Sequence, residues 1–166
     1  MKPSRAIELA IAETINKYGD IGADTKIRAF MSMEFNGTFS KNPDREYPFV
    51  GVAATPPITD ADQVSQMVDV FIICETLTVD DKNHEVLAST YEAVQGVLDK
   101  VYSGFKKTAT DEYTYFNTQA LAYDTGDLIA NDYLSLSWAD AQPPTEDAGA
   151  YIISMTLRVH FGRSDF

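Results

Sequence analysis

The stretch Tyr151-Ile152-Ile153-Ser154-Met155-Thr156-Leu157-Arg158-Val159-His160-Phe161 alternates almost without error. Tyr151, Ile153, Met155, Leu157, Val159 and Phe161 fall on one side of an extended chain. Ser154, Thr156, Arg158 and His160 fall on the other, and Ile152 alone breaks the polar side. A period of two marks a strand with one buried face and one wet face. Such strands belong to antiparallel sheets that carry a second layer on one side only.

Moving back along the chain, Gln142-Pro143-Pro144 and Gly149 mark a loop. Leu134, Leu136 and Trp138 alternate with Ser135 and Ser137, which predicts a strand over Tyr133–Trp138. Glu112–Tyr123 is rich in Tyr and Thr and is expected to be a further strand, though its alternation is mixed. Met67–Leu77 is nearly continuous apolar and is expected to be a central strand buried on both faces. Thr55–Gln66, with Pro56-Pro57 and then Thr59, Asp60 and Asp62, reads as a loop, with room for one helical turn. Pro48 leads into a short strand, Phe49–Val52. Further back, Ile27, Ala29, Met31, Met33 and Phe35 alternate, and Asn36-Gly37 is a strong hairpin turn signal.

Two helices complete the pattern. Ala6, Ile7, Ala10, Ile11, Thr14, Ile15 and Tyr18 recur at helical spacing. Pro3 suits the first turn and Gly19 the stop. Glu8, Glu13, Asn16 and Lys17 are expected to face water. The second helix carries Leu87, Tyr91, Val94, Val97, Leu98, Val101 and Phe105. Asp80, Asp81 and Asn83 offer capping oxygens before it, and Gly104 is placed to end it. The expectation is a single α+β domain over residues 1–166. It is a mainly antiparallel β-sheet with two amphipathic helices packed on one face and a protruding β-hairpin arm at about 27–48.

Composition excludes several classes. The chain has 166 residues and is 45% hydrophobic, enough for a real core without disulfides. The formal net charge is −12, which argues against a protein that grips nucleic acid through clustered cations. The N-terminal apolar stretch is interrupted by Glu8 and followed by Glu13, so no signal peptide is expected. The single cysteine, Cys74, lies in the most apolar strand and reads as a buried structural thiol.

No motif carries evident chemistry. His84 sits among Asp80, Asp81 and Glu85, but no second His lies at helical spacing, and a solvated helix start accounts for it. His160 reads as a solvent-facing residue or a subunit contact. Asp124-Thr125-Gly126-Asp127 lacks the ligand order and closing Glu of a calcium loop and reads as a turn. No catalytic residue, cofactor or metal is expected, and the chain is not read as an enzyme. The charge distribution carries more. Thr108–Leu157 contains no Lys or Arg and holds eight of the acids, among them Asp111, Glu112, Asp124 and Asp127. Such a stretch is an ordinary solubilising surface, a one-signed face that meets a basic neighbour, or a channel wall that must not hold an anion.

The order of elements resembles the tail-terminator (tail completion) proteins of long-tailed bacteriophages. It is carried by a Pro48-led strand, a buried strand ending Cys74-Glu75-Thr76, the acidic Asp80-Asp81 turn, and a long helix over Val86–Phe105. A late strand with Arg158-Val159-His160-Phe161-Gly162 completes it. The resemblance covers roughly Pro3–Gly162 and rests on pattern more than on invariant residues. It implies a structural virion protein, made in the host cytoplasm, that forms a homo-oligomeric ring, typically a hexamer. The ring would end tail-tube growth, meet the tube protein on one side and the head–tail connector on the other, and let DNA pass without binding it. No membrane is involved. On this resemblance Arg28, Phe30, Phe39, Arg45 and Arg158 are candidate interface residues. Asp111, Glu112, Asp124 and Asp127 are candidate lumen-facing acids, and the 151–161 strand and the 27–40 hairpin are candidate contact elements. Two rivals stand beside it: another phage neck or connector component, and a monomeric small-molecule-binding or enzymatic α+β domain.

Overall fold

The computed structural model describes residues 3–19, 28–30, 47–59, 65–106, 108–124, 129–141, 144–147 and 149–163. Among them are three helices, α1 (Pro3–Tyr18), α2 (Glu85–Lys106) and α3 (Asp111–Asp124). The strands are β1 (Arg28–Phe30), β2 (Phe49–Ala54), β3 (Ile58–Thr59), β4 (Ser65–Leu77), β5 (Ile129–Ala141), β6 (Thr145–Asp147) and β7 (Ala150–Arg163). The fold is α+β, as the alternating pattern requires.

The sheet runs in the order β1-β2-β4-β7-β5. Its four main strands, β2, β4, β7 and β5, are antiparallel to their neighbours, whereas β1 lies parallel to β2. The short β3 pairs with β4 and β6 pairs with β7, so the loop expected over Thr55–Gln66 in part folds back onto the sheet. β7 keeps the register its alternation demands. Ile153, Met155, Leu157, Val159 and Phe161 are buried, and the residues between them are half-buried.

β4 corrects one expectation. Val68, Val70, Ile72 and Cys74 are fully buried, but Phe71 is 44% exposed and Met67, Asp69 and Ile73 are half-buried. The strand is therefore open on one face around Phe71, whereas toward its end Cys74, Glu75 and Thr76 are buried in succession and both faces are covered, as expected. A continuous apolar run does not by itself distinguish the two arrangements.

α1 buries Ala6, Ile7, Ala10, Ile11, Thr14 and Ile15 against β2, and α2 buries Leu87, Val94, Val97, Leu98 and Val101 against β4, β5 and β7. α2 runs past Gly104 to Lys106. The third helix is the main departure from expectation. Residues 112–123 form a helix packed on α1 and α2, not a strand. Thr110 starts it: its hydroxyl accepts the Tyr113 N–H (3.1 Å) and donates to the Lys100 carbonyl of α2 (2.7 Å). Asp111 and Glu112 then sit in the first turn, where the helix dipole favours negative charge. Phe116 and Ala120 are buried, one helical turn apart.

α3 also reverses the expectation that α1's acids face water. Glu13 accepts hydrogen bonds from Tyr123 (2.5 Å) and Gln119 (2.7 Å) of α3. Glu8 is almost wholly buried, paired with Arg5, and accepts the Ala54 N–H at the end of β2 (2.8 Å). A buried carboxylate held this way is stabilised by its donors and ties α1 to the sheet.

Asp81 caps α2. Its carboxylate accepts the N–H groups of Val86 (2.8 Å) and Leu87 (3.0 Å) and the Thr76 hydroxyl (2.7 Å). Of the three capping candidates in the turn, it is the buried one. The hairpin turn at Asn36-Gly37 lies outside the described residues.

Candidate functional site

On the sheet face opposite the helices, Phe71 is exposed at the middle of β4. The residues of this face come from the odd positions of β4, the even positions of β7 and their neighbours. One row runs Ala53, Phe71, Thr156, and in the next Asp69 stands opposite Arg158. Small neighbours leave the Phe71 ring open in the middle of the sheet. An exposed phenyl between Ala53 and Thr156 offers apolar area to a protein partner, at roughly 25 cal/mol per Å² covered. Ile58, at the β3–β4 edge, is also exposed.

Arg158 occupies this face, but it is already engaged. Its Nε donates to Asp69 Oδ1 (2.8 Å) and its terminal nitrogen to Oδ2 (3.2 Å), a two-pronged pair between directly opposed residues. The pair is half-exposed, so solvent screens it and its worth to stability is small. Its effect is to make the face locally neutral.

The other candidate interface residues are scattered. Arg28 and Phe30 lie on β1, at the far edge of the sheet from β5. Phe39 and Arg45 lie outside the described residues. The 151–161 strand, offered as a contact edge, is paired along both sides, with β4 and with β5 and β6. It has no free edge to give, and that role passes to a strand at the border of the sheet.

The candidate acids divide in the same way. Asp111 is exposed at the head of α3, and Glu112 is half-buried with Lys100 at 3.9 Å. Asp124 is fully buried at the end of α3, so it does not face an open channel, and Asp127 lies outside the described residues. Helix geometry supplies acids that were not singled out. Glu85, Glu92 and Asp99 recur every seventh residue and are exposed along one stripe of α2. α2 therefore exposes a stripe of negative charge, and the Asp69–Arg158 pair leaves its part of the sheet face neutral beside the exposed Phe71.

A shallow, open cavity of about 290 Å³ lies between α1 and α3, lined by Tyr18, Asp111, Thr114, Tyr115 and Thr118. The Tyr18 and Tyr115 rings meet edge to face at 5.9 Å, and the Lys17 ammonium stands 4.4 Å from the centre of the Tyr115 ring. Burial and the carboxylates of Asp111 and Glu112 raise the Tyr18 hydroxyl, and burial with Glu13 raises Tyr115. Tyrosines shifted upward stay protonated near neutrality and act as donors, not bases.

Tyr123 is pushed up to about 12, first by its hydrogen bond to Glu13 and then by burial. The stabilisation is complete below the ordinary tyrosine value of about 10 and is lost as pH rises through the folded value. Ultraviolet titration should therefore find one tyrosine ionising only near pH 12. Glu13→Gln should bring it back toward 10. An unchanged titration curve would mean that the Glu13–Tyr123 bond is not formed.

Cys74 is buried and its thiol is pushed up to about 12 by desolvation, which leaves it without nucleophilic character. His84 is exposed and lies with its ring centre 4.0 Å from that of Tyr151 at the start of β7. Asn83 (φ 60°) and His84 (φ 59°) both adopt the left-handed region as the chain turns into α2. Among the described residues, no three His, Cys, Asp or Glu side chains converge as metal ligands, and no helix is long and apolar enough to cross a membrane.

The sequence matches no protein-family model, and no characterised protein aligns with it at significant similarity. The class of protein is therefore argued from its two unlike faces.

Proposed function

We propose that this is a structural protein of a phage tail, a ring-forming subunit of the tail-terminator kind that caps the tube and joins it to the head connector. The observation that carries the reading is Phe71, 44% exposed at the centre of a sheet whose opposite face is buried under three helices. An open apolar ring on a neutral sheet face is what a subunit keeps for contact with other protein. The exposed acids of the helices complement it. Glu85, Glu92 and Asp99 on α2 and Asp111 on α3 place negative charge where a passing phosphate backbone would be repelled rather than held. The wall is thus assigned to these acids, with protein contacts assigned to the sheet face.

Purified tail tubes test the proposal directly. The protein should co-sediment with them, sit at one end in negative stain, and stop further polymerisation of tube protein. Phe71→Lys should weaken that association at least tenfold while leaving the far-ultraviolet spectrum unchanged. No co-sedimentation and no effect on tube length would overturn the assignment.

A further inference from the structure

We infer that the cavity between the end of α1 and the outer side of α3 receives an arginine side chain of a partner protein, held against the Tyr18–Tyr115 pair and by the Asp111 carboxylate. Such a site serves any basic partner, so it stands or falls apart from the tail reading.

The placement of residues on α3 leads to this site. Asp111, Thr114, Tyr115 and Thr118 recur at three- and four-residue steps and share one side of the helix, away from the buried Phe116 and Ala120. Tyr115 is thus an aromatic ring in an otherwise polar stripe. It meets Tyr18, the last residue of α1, edge to face at 5.9 Å. The electron-rich face of such a ring attracts a cation. The protein itself shows what this pair accepts: the Lys17 ammonium stands 4.4 Å from the centre of the Tyr115 ring and 5.7 Å from that of Tyr18. Lys17 is exposed, and its ammonium is a strongly hydrated point charge on a flexible stem. A guanidinium is planar, less hydrated and stacks better on an aromatic face, so an incoming arginine displaces it.

Charge agrees. Of the carboxylates near the rings, Glu13 is bonded by Tyr123 and Gln119, and Glu112 has Lys100 at 3.9 Å. Asp111 is exposed at the rim of the cavity, and among the described residues no cation pairs with its carboxylate. Burial first, and then Asp111 and Glu112 at Tyr18 and Glu13 at Tyr115, keep both hydroxyls protonated, so the space between the rings carries negative potential. Thr114 and Thr118 add exposed hydroxyls that accept from a guanidinium N–H. An anion drawn to Lys17 would instead meet Asp111 and Glu112 in the first turn of α3. At about 290 Å³ the cavity lies at the small end of ligand sites, the scale of one side chain. Asp111 then serves this contact, and Glu85, Glu92 and Asp99 remain as the acidic stripe of α2.

Titration of the full chain at low salt, followed by the NMR signals of its tyrosine rings and backbone amides, tests the site. A capped pentapeptide with one arginine among glycines should shift Tyr18, Tyr115, Thr114 and Thr118 together and saturably. Its citrulline counterpart has nearly the same shape without the charge and should bind at least fivefold more weakly. Asp111→Asn, at an exposed position, and Tyr115→Leu should each weaken arginine binding at least threefold while the remaining amide signals stay in place. Lys17→Gln should strengthen it about twofold, because the competing ammonium is gone. An anion site would answer in the opposite way: it would take inorganic phosphate in preference to the arginine peptide and lose it with Lys17→Gln. That result would overturn the inference. So would equal binding of the citrulline peptide, shifts that leave these four residues unmoved, or no saturable response.

Discussion

Phe116→Ala should destabilise the protein by about 3–5 kcal/mol, the range for emptying a buried phenylalanine site. The effect is expected to be large because Phe116 is the one large side chain of α3 that is fully buried, with Tyr113 and Leu121 only partly so. Phe116 is 1% exposed, and the other buried residues of the helix are Ala120 and Asp124. Removing the ring opens a cavity where α3 packs on α1 and α2. Urea unfolding followed by far-ultraviolet circular dichroism measures the loss, with part of the helical signal lost before the main transition if α3 undocks first. Tyr115→Ala, at a half-buried position one residue away, should cost clearly less. A loss below about 1 kcal/mol for Phe116→Ala would show that the helix does not dock through this ring.

Asp81→Ala should cost about 2–4 kcal/mol at neutral pH. An N-cap alone is worth about 0.5–2 kcal/mol, and the substitution also strands the Thr76 hydroxyl, which is buried with it. Burial by itself would raise the Asp81 carboxyl. The donors from Thr76, Val86 and Leu87, with His84 nearby, outweigh it and hold the group below the usual carboxylate range. The sign follows. The carboxylate contributes fully above its unfolded value of about 3.9, and the contribution is lost as pH falls through the lower folded value. Urea midpoints measured between pH 2 and pH 7 should therefore rise less steeply for Asp81→Asn than for the parent. Equal slopes would show that the Asp81 charge does not contribute.

What was legible in the sequence was what repeats with a clear period. The alternation of Tyr151–Phe161 located β7, its buried side and hence the one-sided sheet. The heptad-like stripes located α1 and α2 to within a residue or two. α3 was obscure because its interior, Tyr113-Thr114-Tyr115-Phe116-Asn117-Thr118, is built from residues that favour strands, and its apolar stripe is only Phe116 and Ala120. The usable signal was at its start, where Thr110 precedes two acids in the manner of an N-cap. Missing that helix also misplaced Glu13, which bonds to α3, while Glu8 was misplaced because it bonds to the end of β2.

The candidate site was less legible for a similar reason. Phe71 and Asp69 lie inside an apolar run whose residues look alike until one face is known to be bare. Arg158 was singled out correctly as a residue of the polar face, but its partner, Asp69, is 89 positions away in sequence and only the register brings them together.

That separation has a consequence for how the chain is made. The longest ladder in the molecule joins Ser65–Leu77 to Ala150–Gly162, so the centre of the sheet consists of the two segments furthest from being neighbours in synthesis. While the ribosome is still adding residues 80 to 149, β4 has only β2 and the short β3 beside it and exposes an unpaired border. Closing so long a loop is entropically slow and is rewarded only at the end. The sheet should thus close only once β7 has been made, and any truncation that removes β7 should leave β1, β2 and β4 as a partial sheet with β5 unpartnered, not a smaller stable domain.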